Sequence, residues 1–114
     1  MKELVFVYGS LRRGQSHHPL LRHAKYLGAH KTEPCYTMFG MGPFPAITDG
    51  GSTAIIGEVF AVDGRTLSRL DEFEDCPAEY FRRRIVTPFG KAWVYVYRYA
   101  PKAAVIPTGD WCDR

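Results

Sequence analysis

The 114-residue sequence is sparing in several features that would have pointed elsewhere. Its three cysteines, Cys35, Cys76 and Cys112, are widely spaced and form no CxxC pair. That usage does not read as a disulfide framework and fits a reducing compartment. No apolar run approaches the ~20 residues that a membrane-spanning helix needs. The opening residues, MKELVFVYGS, lack the length and cleavage site of a signal peptide. A cytoplasmic protein without membrane contact is therefore expected. The formal net charge is only +3, and apart from Arg12-Arg13 and Arg82-Arg83-Arg84 the basic residues are scattered. So weak a field does not call for a nucleic-acid partner. Internal repeats, low-complexity tracts and linkers are missing too. What remains is 46% hydrophobic and 24% charged residues, the balance of an ordinary globular chain. The length suits one domain, residues 1–114, with one modest core.

Short apolar runs dominate what is present. Leu4-Val5-Phe6-Val7-Tyr8 is almost continuous, which predicts a central strand buried on both faces. After Gly9 the polar stretch SLRRGQSHHP reads as a loop, with a helical turn at Leu20-Leu21 behind Pro19. Residues 24–39 predict one irregular strand interrupted by Pro34, and 40–45, dense in Gly and Pro, a loop. Ala54 to Val62, Phe81 to Thr87 and Ala92 to Tyr99 predict strands, the last two joined by a turn at Phe89-Gly90-Lys91. One helix is expected from about Arg65 to Glu74, capped by Asp63 and followed by Pro77. The tail, IPTGDWCDR, reads as irregular. Strands outnumber helices, so the expected class is α+β, with a mixed sheet curled toward a small barrel that would remove exposed edges.

The helix contains the most informative pattern. Its end carries four acids: Asp71, Glu72, Glu74 and Asp75. At about 100° per residue, Leu67, Leu70 and Phe73 form one apolar stripe, and Glu74 lies only ~40° from its centre. Asp71 falls at the edge of that stripe and Glu72 almost opposite. Glu74 is thus the one acid aimed with the core-facing side chains, if the helix persists that far. A carboxylate so placed is costly unless paired or protonated, and burial raises its pKa toward neutrality. A carboxyl group near pH 7 suits general acid/base catalysis. Two other outcomes stay open: the helix frays before Glu74, or Glu74 pairs with Arg82 or Arg84.

Tyr8-Gly9-Ser10-Leu11 follows the first strand directly. Glycine permits a sharp turn and close approach of a ligand to the backbone. Successive N–H groups in such a turn can cradle an anion, and Ser10 adds a hydroxyl. An ordinary strand-to-loop turn is the alternative. Gly9 to Gly14 also has the GxxxxG spacing of a phosphate loop, but Gln15 stands where Lys is required. Nucleotide binding is rejected on that ground.

Other constellations are weaker. Cys35 or Cys76 with His17, His18, His23 or His30 carries no cysteine-hydrolase signature. Cys76 suits packing better. Adjacent histidines on one loop do not have zinc-ligand spacing. The run Arg82-Arg83-Arg84 alternates across the two faces of a strand, so it makes no single basic patch. Pairing with Glu58, Asp71 or Glu72 is the expected use. The tyrosines and Trp93 fit core and pocket wall rather than a base-stacking surface.

Two segments together, FVYGSLRRGQ and LDEFEDCPAEYFRRRIV, resemble the γ-glutamylcyclotransferase-like family, above all its short γ-glutamylaminecyclotransferase and BtrG-type members. The stretch Gly42-Pro43-Phe44-Pro45-Ala46-Ile47, the strand GEVFAV and the segment Trp93 to Tyr99 fit as well, in the right order over essentially the whole chain. The resemblance implies a compact β-barrel flanked by short helices. It also implies cleavage of a γ-glutamyl amide to 5-oxoproline and a free amine, with no metal and no cofactor. By motif position the family's catalytic glutamate falls on Glu74 and its substrate loop on Tyr8, Gly9, Ser10 and Leu11, with Tyr80 and Tyr97 as further pocket residues. The implied partner is a small γ-glutamyl molecule, whose leaving amine is left open. The rival from another class is a non-catalytic metabolite-binding or interaction module on the same barrel.

Overall fold

The structure, a computed structural model, describes residues 2–114. Strand β1, Glu3–Val7, lies at the centre of a five-stranded sheet of order β2-β5-β1-β7-β6. Its neighbours are β5, Ile56–Val62, which is antiparallel to it, and β7, Gly90–Tyr97, which is parallel. Strands β2, Lys25–Lys31, and β6, Tyr80–Thr87, form the edges. A second sheet of three strands joins β4, Pro45–Asp49, to β3, Tyr36–Gly40, and β8, Ala104–Val105. The sheet is mixed, as expected, but neither sheet closes on itself. The barrel expectation therefore holds only loosely: two open sheets enclose a core.

Alternation along β1 builds two cores at once, because successive side chains point to opposite faces. Phe6 packs with Val59, Val94 and Val96 against Met38 and Ile47 of the smaller sheet. Val5 and Val7 point the other way, joining Phe60, Val62, Leu67 and Leu70 beneath the helix. Val5 and Phe6 are fully buried, as the continuous apolar run predicted. Burying one such side chain contributes about 1.5–3 kcal/mol.

The helix α1 spans Gly64–Phe73, within a residue of the predicted limits. Asp63 caps it as expected, accepting the Thr66 N–H at 2.7 Å. A short 3₁₀ turn at His18–Leu21 matches the turn read after Pro19 and buries Leu21.

Several boundaries differ. The segment 24–39 is two strands in different sheets: β2 pairs with β5, whereas β3 pairs with β4, and Pro34 lies between them. Ala46 to Asp49 belong to β4, unread because Pro43 and Pro45 mask the run. The β6–β7 turn is Pro88-Phe89, since Thr87 pairs with Gly90. In the tail, Asp110 caps a short 3₁₀ turn through the Cys112 N–H, and this packs Trp111 into the inter-sheet core.

Candidate active site

Beyond the end of β1 the chain turns through Gly9-Ser10-Leu11 and folds back on itself. Arg12 donates its N–H to the Gly9 carbonyl at 3.0 Å, and His17 to that of Ser10 at 2.9 Å. Gly9 rests on the ring of Pro45, with no room for a larger residue. Among the described residues, the backbone N–H groups of Ser10 and Leu11 have no protein acceptor. The returning limb is anchored from below. Glu58, buried on β5, accepts the Arg13 N–H at 2.9 Å, and Arg12 donates to Asp110 at 2.7 Å.

Glu74 enters from the opposite side. It is the residue that closes α1, and its N–H donates to the Leu70 carbonyl at 2.9 Å, so the last turn holds it rather than fraying. Neither expected arginine reaches it. Arg82 pairs with Asp71 at 3.1 Å and Arg84 with Glu3 at 3.6 Å, while Arg83 bonds Asp49. Among the described residues no ion-pair partner of Glu74 is found. Burial alone pushes its carboxyl from an ordinary 4.5 up to about 7.

Between these two sides lies a cleft open to solvent, with about 530 Å³ of empty space when its open mouth is included. Its wall contains all of Tyr8, Gly9, Ser10, Leu11 and Glu74, so the residues singled out from sequence come together. Tyr80 also lines it. Tyr97 stands behind, its ring edge-on to that of Tyr80 at 5.0 Å between centroids. Sequence reasoning missed Tyr95, Phe73 and Phe44 as lining residues. Tyr95 was legible in principle: in an unbroken strand it shares a face with Trp93 and Tyr97, and that face packs beneath α1.

The remaining polar candidates have structural places. His17 packs on the Phe73 ring at 4.7 Å, and His18 Nδ1 lies 3.0 Å from the Leu11 carbonyl oxygen. Cys76 packs partly buried beside the helix, and burial pushes its thiol pKa up. Among the described residues no helix is long and apolar enough to cross a membrane.

A carboxyl group raised toward neutrality by burial and a loop with free N–H donors line one open cleft, an arrangement suited to acid/base chemistry on a small molecule. Comparison with known proteins makes the class specific. Residues 5–113 match the family model described as "Gamma-glutamyl cyclotransferase, AIG2-like". The chain belongs to that family, and this membership supports a cyclotransferase role. A Vibrio cholerae relative named "Putative gamma-glutamylcyclotransferase" is 45% identical over 115 residues, covering 100% of this chain and 99% of its own. The gamma-glutamylaminecyclotransferase of Homo sapiens is 41% identical over 88 residues, 69% of this chain and 58% of that one. The crystal structure of the Pyrococcus horikoshii protein PH0828 superposes with a TM-score of 0.86 at 31% identity, covering 97% of this chain and 91% of that one.

Proposed function

We propose that this chain, as one domain over residues 1–114, cyclises a γ-glutamyl amide to 5-oxoproline and releases the amine, with Glu74 as general acid/base. The observation that carries the reading is Glu74 itself, a carboxylate without an ion-pair partner among the described residues, opening on the same cavity as Tyr8-Gly9-Ser10-Leu11. A structural acid would be paired or turned to water.

The substrate's α-amino group is an ammonium ion at neutral pH and cannot attack. Glu74 takes one proton from it. The freed nitrogen adds to the γ-carbonyl carbon, forming the new C–N bond and an oxyanion. Both groups belong to one molecule, so the cavity mainly has to select the folded conformer. The Ser10 and Leu11 N–H groups suit the substrate α-carboxylate or the developing oxyanion. Collapse of the oxyanion breaks the old C–N bond. The two protons lost by the α-nitrogen end on the departing nitrogen, relayed by Glu74, and the amine leaves as an ammonium ion.

The test is a panel of γ-glutamyl amines and γ-glutamyl amino acids, with 5-oxoproline measured by mass spectrometry. Glu74→Gln runs beside the wild type. Release by the wild type alone is expected. Equal turnover by both would remove Glu74 from the mechanism. Ligand binding near Ser10 with no turnover at all would favour the binding-module reading.

A further inference from the structure

Three tyrosines line the cavity with Glu74: Tyr8 after β1, Tyr80 on β6 and Tyr95 on β7. All three phenols are raised in pKa, first by burial, with the Glu74 charge a lesser contribution to each. A tyrosine has one hydrogen to donate. None of the three goes to Glu74. Tyr8 donates to the Tyr95 carbonyl at 2.7 Å, Tyr80 to the Pro45 carbonyl at 3.2 Å and Tyr95 to Asp71 Oδ1 at 2.7 Å.

Two of these acceptors are backbone carbonyls, but the third is a side chain with no contact to the cavity of its own. Asp71 is a turn before Glu74 on α1 and is not among the lining residues. Arg82 on β6 holds the same Oδ1 at 3.1 Å, and its guanidinium lies over the Trp93 ring at 4.5 Å. Asp71 and Glu74, two of the four acids at the end of α1, thus have opposite fates. Asp71 gathers a cation and a phenol, and Glu74 receives neither.

We propose that Asp71 is a positioning residue that commits the Tyr95 proton, and that with the Pro45 and Tyr95 carbonyls it leaves the three phenolic oxygens of the cavity wall as acceptors alone, a set that takes a primary ammonium group. The ligand class rests on the cyclotransferase reading, in which that group is the substrate's α-ammonium. The proton commitment does not. Phenolic lone pairs and a carboxylate stabilise a cation with up to three N–H bonds to give. A hydroxyl turned toward Glu74 would instead stabilise its ionised form and weaken it as a base.

The other donors of the cavity wall, the Ser10 and Leu11 N–H groups and the Ser10 hydroxyl, belong to the loop after β1 and are not set by Asp71. Tyr97 packs edge-on against Tyr80, His17 packs on the Phe73 ring, and Arg82 gives its Nε to Asp71, while among the described residues Arg82 Nη1 and Trp93 Nε1 are buried without a partner.

The experiment is carbon-detected NMR titration of the Glu74 side-chain carboxyl in the whole chain. Five proteins are compared: wild type, Asp71→Asn, Asp71→Ala, Tyr95→Phe and the Asp71→Ala/Tyr95→Phe double variant. Thermal melts confirm that each is folded. Asp71→Asn keeps an acceptor for Tyr95 and should titrate as the wild type does. Asp71→Ala frees the Tyr95 hydroxyl to turn, and the midpoint should fall by about one pH unit. The double variant has no hydroxyl to turn, so its midpoint should return to the wild-type value. A fall that persists in the double variant would mean simple loss of a neighbouring charge and would overturn the proposal. So would an unmoved midpoint in Asp71→Ala. The titration needs no substrate. If the midpoints move as stated while no protein releases 5-oxoproline, the proton commitment stands and the cyclotransferase reading falls. If turnover is present, the acid limb of kcat/KM should follow the NMR midpoint in each variant.

Discussion

Gly9 and Pro45 are in closer contact than any other residue type at position 9 would allow: a Cβ on Gly9 would stand 2.5 Å from the Pro45 Cδ and 2.6 Å from its Cγ. Backbone of the cradle loop and the first residue of β4 therefore share one surface, and the cavity wall depends on both. The ring of Pro45 is stiff and its carbonyl is held by Tyr80, so it has little freedom to give way. Gly9→Ala should destabilise the fold by about 1–3 kcal/mol through overpacking and push the Ser10 and Leu11 N–H groups off their positions. A thermal melt and a KM measurement check this. A several-fold rise in KM is expected, and an unchanged melt with unchanged KM would mean that the loop is softer than its packing implies.

In the proposed reaction Glu74 must be ionised to accept a proton, and burial pushes its carboxyl up to about 7. The wild-type kcat/KM should therefore rise with pH through an apparent pKa near 7, well above the ordinary carboxyl range. Glu74→Gln keeps the shape of the side chain and removes its basicity. Its turnover should fall by about 10²–10⁴-fold, and the acid limb should disappear from whatever rate remains. The measurement is 5-oxoproline release from pH 5 to 9 at subsaturating substrate.

The same carboxyl links stability to pH, and the sign follows from which state holds the proton. Unfolded, Glu74 ionises near 4.5; folded, near 7. Between these values the folded state binds more protons, so stability falls as pH rises through the window. The Glu74 contribution to stability is intact below pH 4.5, and above pH 7 the ionised group costs the fold at most about 3 kcal/mol. Glu74→Gln removes the charge and with it the penalty. The variant should be more stable than the wild type at pH 8, by about 1–3 kcal/mol, and should lose that advantage at pH 4.5. Urea melts at the two pH values check it. Equal stabilities at pH 8 would mean that the carboxylate is well solvated.

Local chemistry made parts of this arrangement legible in sequence, and tertiary pairing hid others. Asp63 announces the helix because its oxygen satisfies an end N–H that the helix itself cannot satisfy. Glu74 could be singled out because helical periodicity fixes its direction relative to Leu67 and Leu70, and the helix bond from its own N–H extends far enough to preserve that direction. The Gly9 loop was legible as a turn, but not the reason for its glycine, which is a proline 36 residues away. β4 and β8 were missed because one starts at a proline and the other has only two residues, Ala104 and Val105. Trp111 was read as part of an irregular tail, yet Asp110 caps its turn and also holds Arg12. The face of Tyr95 was legible from strand alternation, but its bond to Asp71, a partner 24 positions away, was not.

The underside of the cradle gives a further test, because its support is ionic and buried. Glu58 is 7% exposed on β5, directly opposite Val7 in the β1–β5 register. It accepts the Arg13 N–H at 2.9 Å and has Arg13 Nε at 3.6 Å and Arg12 Nε at 3.9 Å. Among the described residues the Arg12 Nε has no hydrogen-bond partner of its own, so it depends on the nearby carboxylate for compensation. Removing the acid leaves a largely buried guanidinium with Asp110 as its remaining ion-pair partner among the described residues. Glu58→Ala should therefore destabilise the fold by about 3 kcal/mol, the range for breaking a buried pair. Glu58→Gln keeps an oxygen for the Arg13 N–H and should lose less. Because the anchor lies beneath the loop and outside the cavity lining, the Gln variant should raise KM through loop disorder while its kcat and its acid limb near pH 7 stay as in the wild type. A fall in kcat at unchanged KM would place Glu58 in the chemistry instead, and melts with steady-state kinetics on the two variants distinguish these outcomes.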